Sequence, residues 1–364
     1  MKTLTTLLFV LVFASANARI LTVSNNPALP AQYPDVQAAI TAALAGDTIF
    51  VHGTQFNYAD FTLTKRLVMI GAGYNSNNQF NYATRVNNIF LIRDTGLQNA
   101  NNSVITGFLI LNNIQISGSL GLTNITIFRN QVNSILYTYN PSVGAPFGSN
   151  WNIYNNILTY VYGGSGGPLT SSSSNFTIQN NIITGDIDNF SMNSVLIDHN
   201  VFQGPDALIN LYYATVTNNV FVMNSGNVMT SNVNFDTFNN NLSILSTIGP
   251  NVPTNSFLTG SNSGAGNFIG IDPQFTNVTN FNTFSYTFDF RLKIASAGHN
   301  AATDGTDLGV YGGAYPFPSG GVSGGGFDTS PLPPIPQVTD VNIQNATLQP
   351  GTPLNVNVKA RINN

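Results

Sequence analysis

Short apolar–polar alternations recur along this chain, and most of them break at a pair of asparagines. Residues 175–187 read NFTIQNNIITGDI, and NWNIYNNILTYV, NSVLIDHNVFQG and YATVTNNVFVMN repeat the theme. Alternation with a period of two marks a strand with one buried face, and each run is only a few residues long. Marking the second asparagine of the template apolar-x-Asn-Asn-apolar picks out Asn113, Asn156, Asn181, Asn219 and Asn241, with degenerate copies at Asn130 and Asn200. The steps between these seven marks are 17, 26, 25, 19, 19 and 22 residues. That period suits one coil of a parallel β-helix carrying two or three short strands per turn. Asparagine tolerates the left-handed backbone of a tight corner. Stacked at the strand spacing of about 4.8 Å, its amide reaches the coils above and below. The seven asparagines are therefore expected to form a structural ladder.

One stretch changes period. In PDVQAAITAALAG (34–46) the apolar Val36, Ile40 and Leu44 recur at helical spacing, with Pro34 near the start and Gly46 at the end. This predicts a short helix capping the N-terminal end of the coil, where an open sheet edge would otherwise invite aggregation. Strands at DTIFVHG (47–53) and LTKRLVMIGAG (63–73) follow.

Composition sharpens the all-β reading. The chain holds 53 Asn, its fifteen acidic residues are all Asp, and charged residues reach only 7%, against roughly a quarter in an average domain. Asn and Asp favour turns over helices. A net charge of −4 gives a weak field, which argues against nucleic acid or an anionic membrane surface as partner. No cysteine is present, so no disulfide staples the fold. Lys2, the apolar LLFVLVF (7–13) and the small-x-small ANA (16–18) read as an export signal over residues 1–18. A secreted or cell-surface protein is expected, with no membrane insertion, because no later run reaches spanning length.

The helix followed by GDTIFVHG and KRLVMIGAG resembles the entry to secreted bacterial right-handed parallel β-helix proteins of the pectate-lyase-like superfamily. IDPQF (271–275) and FDFRLKIASAGHNAATDGTDLGVYGG (288–313) resemble that group's closing segment, with Ser296-Ala297-Gly298 where a proline is usual. The likeness covers residues 20–315 and implies a right-handed, single-stranded β-helix over 19–315. The group hosts lyases, hydrolases, epimerases and proteins without chemistry, so architecture alone confers no activity. Beyond it, 316–336 is a Gly/Ser/Pro linker, and 337–364 reads as two strands joined at LQPGTP. That hairpin looks like the opening of an immunoglobulin-like module. Two strands alone are marginal in water, so it is expected to meet a partner protein, a second copy, or the coil.

Chemistry is sparse. A polyuronate lyase needs basic side chains, yet between Arg93 and Arg291 only Arg129 and His199 are basic. A glycosidase needs only two carboxylates about 5–10 Å apart. Asp186, Asp188, Asp198 and Asp206 are the candidate acids. They read as solvated loop carboxylates, as a Ca²⁺ or glycan contact, or as a catalytic pair. The polygalacturonase signatures Asn-Thr-Asp, Asp-Asp, Gly-His-Gly and Arg-Ile-Lys are absent. Three scattered histidines form no metal-binding motif, and no organic cofactor motif is present. Aromatics are the better lead. Tyr139, Phe147, Trp151, Tyr160 and Tyr162 crowd the longest interior insertions, and sugar rings dock on aromatic faces carried by loops. The expectation is a non-enzymatic scaffold for display, adhesion or glycan contact, with a carbohydrate-active enzyme on neutral polysaccharide as the alternative.

Overall fold

The computed structural model describes residues 18–75, 82–117, 120–137, 148–163, 175–204, 206–222, 228–244, 257–281, 283–317, 336–343 and 353–362. Residues 1–17 and most of the linker lie outside them, as do Tyr139 and Phe147. The described chain winds a parallel β-solenoid of about eight turns. Twenty-one short strands pair coil to coil in one continuous sheet. Register carries like onto like. Ile105, Ile127, Ile153, Ile178, Ile197, Val216 and Phe238 stack down one interior column, each essentially inaccessible to water. Such a column buries a β-branched or aromatic side chain per coil, the largest favourable contribution to the fold.

Each asparagine pair divides its labour. The first residue turns the corner in the left-handed region: Asn155 (φ 53°), Asn180 (52°), Asn218 (57°) and Asn240 (52°), with Arg129 and His199 in the same seat. The second points inward and bonds along the coil axis. Asn130, Asn156, Asn181, Asn200, Asn219, Asn241 and Asn267 form one unbroken ladder, each Nδ2 donating to the next Oδ1 at 3.0–3.2 Å. Asn181 shows the full pattern. Its Nδ2 donates to the Gln179 and Ile153 carbonyls and to Asn200 Oδ1, and its Oδ1 accepts from Asn156 N and Nδ2.

Asn113 is not part of this ladder. The corner of its coil is Gly107 (φ 80°) followed by Phe108, whose N–H donates to Asn130 Oδ1. Asn113 falls on the next strand, Leu109–Ser117, opposite Asn88 and Ser134. Its string matches the template, but no left-handed residue precedes it. Conversely, Asn267 belongs, because Gly266 (φ 74°) takes the left-handed seat before it.

The predicted helix forms over Val36–Ala42, shorter than 34–46. Asp35 caps it by accepting from Ala38 N at 2.8 Å, and Val36 and Ile40 cover the first coil. Leu44 lies past its end and is 65% exposed. The chain turns extended at Ala43 and then left-handed at Gly46.

The closing segment does not sit on the end of the coil; it runs back along the flank. Phe275, Phe288, Phe290, Leu292, Leu308 and Val310 cover the outward Ile157, Ile182, Val201, Val220 and Leu242 in a second apolar cluster. The corner asparagines hold it in place. Asn240 Nδ2 donates to Ala301 O, Asn218 Nδ2 to Thr303 Oγ1, Asn180 Nδ2 to Val310 and Gly312 carbonyls, and Asn155 Nδ2 to Tyr315 O. Farther on, Pro336–Ile343 and Val356–Ile362 pair antiparallel, leaving Val341, Ile343, Leu354, Val356 and Val358 exposed.

Asn181→Leu leaves the Asn156 backbone N–H without its acceptor inside the coil, while Asn156 Nδ2 keeps the Ile127 and Tyr154 carbonyls, so it is expected to cost about 1–3 kcal/mol by urea denaturation. Asn113→Ala is expected to cost less than about 1 kcal/mol.

Candidate functional site

The strand Ile157–Tyr162 alternates so that Val161 points into the core and Tyr160 and Tyr162 point out. Their rings stack at 5.6 Å between centroids, 26° from parallel. Register then places Asp188 beside Tyr162, because Tyr162 pairs with Asp188 and Val161 with the inward Ile187. Asp186 stands just ahead of that strand, which begins at Ile187, and is buried close to Tyr162. The tyrosine pair and two of the four candidate acids therefore lie side by side on neighbouring coils. Gly185 makes this close approach workable: a Cβ there would stand 2.7 Å from Tyr160 Cε1.

Polar side chains extend the face. Asn210 Nδ2 donates to Asp188 Oδ1 at 3.0 Å, Asn232 Nδ2 to Asn210 Oδ1 at 2.7 Å, and Tyr212 Oη to Asn232 Oδ1 at 2.8 Å. Asn189, Asn210 and Asn232 are left-handed, with φ of 61°, 50° and 54°. Sequence reasoning missed this row, although spacings of 21 and 22 residues match the coil step. Around the next corner Tyr213 and Phe235, also left-handed at 61° and 62°, stack at 5.3 Å while each remains 54% exposed. Bulky residues seldom adopt that backbone. A separate cavity of about 230 Å³ has Leu111, Asn133, Thr159, Thr184 and Phe284 in its wall, and neither tyrosine of the pair lines it.

Electrostatics single out the same spot. Burial pushes the Asp188 carboxyl above the usual carboxylate range, against the opposing Asn210 hydrogen bond. Burial also raises the Tyr162 hydroxyl, and the nearby Asp186, Tyr160 and Asp188 raise it further. Asp186 is 9% exposed. Among the described residues no group of three or more His, Cys, Asp or Glu side chains could hold a metal ion.

The remaining sequence candidates lie elsewhere. Trp151 is a core residue, not a binding surface: it is 1% exposed, stacks on Phe176 and donates Nε1–H to the Leu122 carbonyl. Its position alternates inward on a strand opposite Phe176, which outweighs its proximity in sequence to the loops. Asp198 stands at the asparagine corner, accepting from Thr217 Oγ1 and Asn218 Nδ2. Its Oδ2 lies 2.9 Å from Nδ1 of the buried His199. His199 Nε2 faces Thr306 Oγ1 at 3.3 Å, and the ring packs beneath Gly313. This Asp–His–Thr row is sealed under the closing segment and fastens it. Asp206 has its backbone in Asp206–Thr217, opposite Val228. Register pairs Ile187 with Leu208, so Asp186 faces Ala207 and Asp206 falls one position short of it.

The carboxyl with the largest upward shift is buried in the coil. Asp236, fully buried, is raised by burial from 3.8 to about 7. It sits just before Thr237, which pairs with Thr215. Oδ1 accepts from Ala214 N at 2.6 Å, while Oδ2 has no partner. One coil on, Asn262 donates its amide to the Val233 carbonyl. Asp236 thus occupies a ladder position that would suit an amide. No substrate reaches it.

No known protein family matches this chain, and no curated protein does either; the chemistry of the site carries the functional reading.

Because the folded-state pKa of Asp236 is raised, the stability it lends is complete below about pH 4 and drains away as pH rises through 7. Asp236→Asn is expected to abolish that slope and to raise Tm above pH 7, read by thermal melts across a pH series.

Proposed function

We propose that this protein is an exported, non-enzymatic β-solenoid scaffold whose Tyr160–Tyr162 and Asp186–Asp188 face contacts glycans at or beyond the cell surface. The observation that carries the reading is the stacked tyrosine pair set beside a row of side-chain amides and carboxylates on a rigid parallel sheet. Aromatic faces take the apolar face of a sugar ring, and amides and carboxylates take its hydroxyls. A preformed surface loses little conformational entropy on binding. The cavity lined by Thr159 and Thr184 is small for an organic ligand by the usual scale of about 300–1,000 Å³. The entry and closing motifs support kinship with secreted bacterial β-helix proteins of the pectate-lyase-like superfamily, and the N-terminal eighteen residues support export. Among the described residues no helix is long and apolar enough to cross a membrane.

One observation favours a second reading, a hydrolase of neutral polysaccharide. Asp186 and Asp188 both lie near Tyr162 and both raise its hydroxyl, so two carboxyls are grouped at one place on the coil. Burial raises the Asp188 carboxyl, the direction a general acid requires. Release of reducing ends that disappears in Asp188→Asn would replace the scaffold reading with this one.

The hairpin suits a separate role. Val341 faces Val358 and Ile343 faces Val356 across the strands. Lys359 pairs with Asp340 at 3.2 Å. An apolar face left uncovered, with free strand edges, is a template for a partner polypeptide or a second copy.

Tyr160→Ala and Tyr162→Ala are each expected to weaken binding on a glycan array at least tenfold while leaving Tm within about 2 °C. Removal of residues 336–364 is expected to leave the melting curve of the coil unchanged and to abolish self-association or partner capture in sedimentation assays. Unfolding of the coil on that truncation would show the hairpin to be part of its closure.

A further inference from the structure

One corner of the coil carries two aromatic residues where the chain elsewhere places asparagine. Register aligns this corner coil by coil from Asn102 onward. Asn102, Asn124, Asn150 and Asn175 take it in the left-handed region and bond to one another side chain to side chain. Ser194 follows at φ 79°, then Tyr213 and Phe235 at 61° and 62°. Asparagine enters that region at little cost, whereas a bulky aromatic does not. One stack of two half-exposed rings returns less than two strained seats and the lost amide bonds cost. Such strain gathers where a surface binds.

The two rings lie within 12° of parallel, and on either side of them the column narrows to serine. Ser194 stands one coil before, and Ser261, whose Oγ accepts from Phe235 N, one coil after. A ring added at either end would continue the stack at the coil spacing. The groups around it are uncharged. Ahead of the corner Tyr212 Oη and Asn234 Nδ2 meet at Asn232 Oδ1. Past it lie the exposed Thr215 and the paired hydroxyls of Thr237 and Ser263. Between Asp206 and Asp272 the sequence holds a single charged residue, Asp236, which is fully buried.

We propose that the Tyr213–Phe235 corner is a second glycan-binding site, separate from the Tyr160–Tyr162 face, and that it takes an uncharged sugar ring stacked on a free face of the pair. The apolar face of a pyranose meets the aromatic ring, and its hydroxyls meet neutral amides and hydroxyls. An anionic sugar or a nucleic acid finds no cation in this span. A stable protein interface needs about 1,000 Å² of packed surface, which two rings among polar neighbours do not offer.

The test titrates cellohexaose, mannohexaose, xylohexaose and hexagalacturonate calorimetrically into the full chain, and into the full chain carrying Tyr160→Ala and Tyr162→Ala. At least one neutral hexasaccharide is expected to bind both, with an affinity that does not change as salt rises, and hexagalacturonate is expected to bind neither. Tyr213→Asn and Phe235→Asn, which restore the residue found earlier in the column, should each weaken that binding at least tenfold while keeping Tm within about 2 °C or raising it. If the Tyr160 and Tyr162 double variant fails to fold, the two asparagine variants in the otherwise unchanged chain carry the test. Binding abolished by the tyrosine double variant, yet untouched by Tyr213→Asn and Phe235→Asn, overturns this site and leaves the Tyr160–Tyr162 reading standing. Binding that survives the double variant and is lost in Tyr213→Asn supports this site and removes the other. A larger fall in Tm shows that the rings serve the coil, and overturns the proposal. So does binding of none of the neutral sugars, a preference for hexagalacturonate, or a dimer in sedimentation that Phe235→Asn dissolves, which would show a contact between two copies instead.

Discussion

An amide removed from water must find hydrogen-bond partners for both its N–H groups and its oxygen, and the coil is organised around meeting that demand. Each interior asparagine satisfies it with one carbonyl of its own corner, one carbonyl of the preceding coil and the side chain of the next. The cost of a buried amide thereby becomes an instruction. A coil placed one residue out of register would leave its amide facing aliphatic side chains, with roughly 1–3 kcal/mol lost per orphaned group. The isoleucine columns supply most of the burial energy, but they would tolerate a slip far better than the ladder does.

The neighbouring residue of each pair explains how a chain with so few charges keeps its closing segment in place. Having turned the corner, Asn155, Asn180, Asn218 and Asn240 are left with their amides on the outside, and the segment returns along that line of donors. His199 takes the same seat and makes the same kind of attachment through Thr306. The flank is thus committed to structure, with Asp198 included. The strands that carry Tyr160, Tyr162 and Asp188 lie away from that line of donors, with these three side chains half-buried.

Much of the architecture was legible because a solenoid writes its geometry locally. A strand, a left-handed residue and an inward amide fit in six residues, so the string at Asn181 announces a whole coil. The same locality misled at Asn113, where the letters agree but the backbone does not turn, and it concealed Asn267, whose partner is a glycine. The site was half visible. Tyr160 and Tyr162 reveal a shared face through their spacing; the spacing of Asp186 and Asp188 promises the same, but Asp186 is buried just ahead of the strand that carries Asp188. That the two pairs meet depends on the register between coils across an insertion of variable length, which no local pattern encodes. Trp151 misled for the same reason: whether an aromatic beside a loop faces in or out is decided by the strand it joins. Asn210, Asn232 and Tyr212 carry no motif, and only the coil period connects them.

The interior and exterior rows of asparagine also run in opposite senses. Inside, Asn130 through Asn241 each donate to the ladder oxygen one coil toward the C-terminal end, where Asn267 is the last acceptor. On the surface corner Asn124, Asn150 and Asn175 each donate back to Asn102, Asn124 and Asn150. Every interior amide is completed by the coil that follows it, so order is passed forward one coil at a time, as in a one-dimensional cooperative chain. Severing such a chain in the middle orphans one donor and one acceptor at whichever coil is chosen, whereas fraying from the last coil retires Asn267 first and reopens only Asn241. The molecule is therefore built to loosen from its C-terminal end and to resist breaking across its waist, where the tyrosines and aspartates stand.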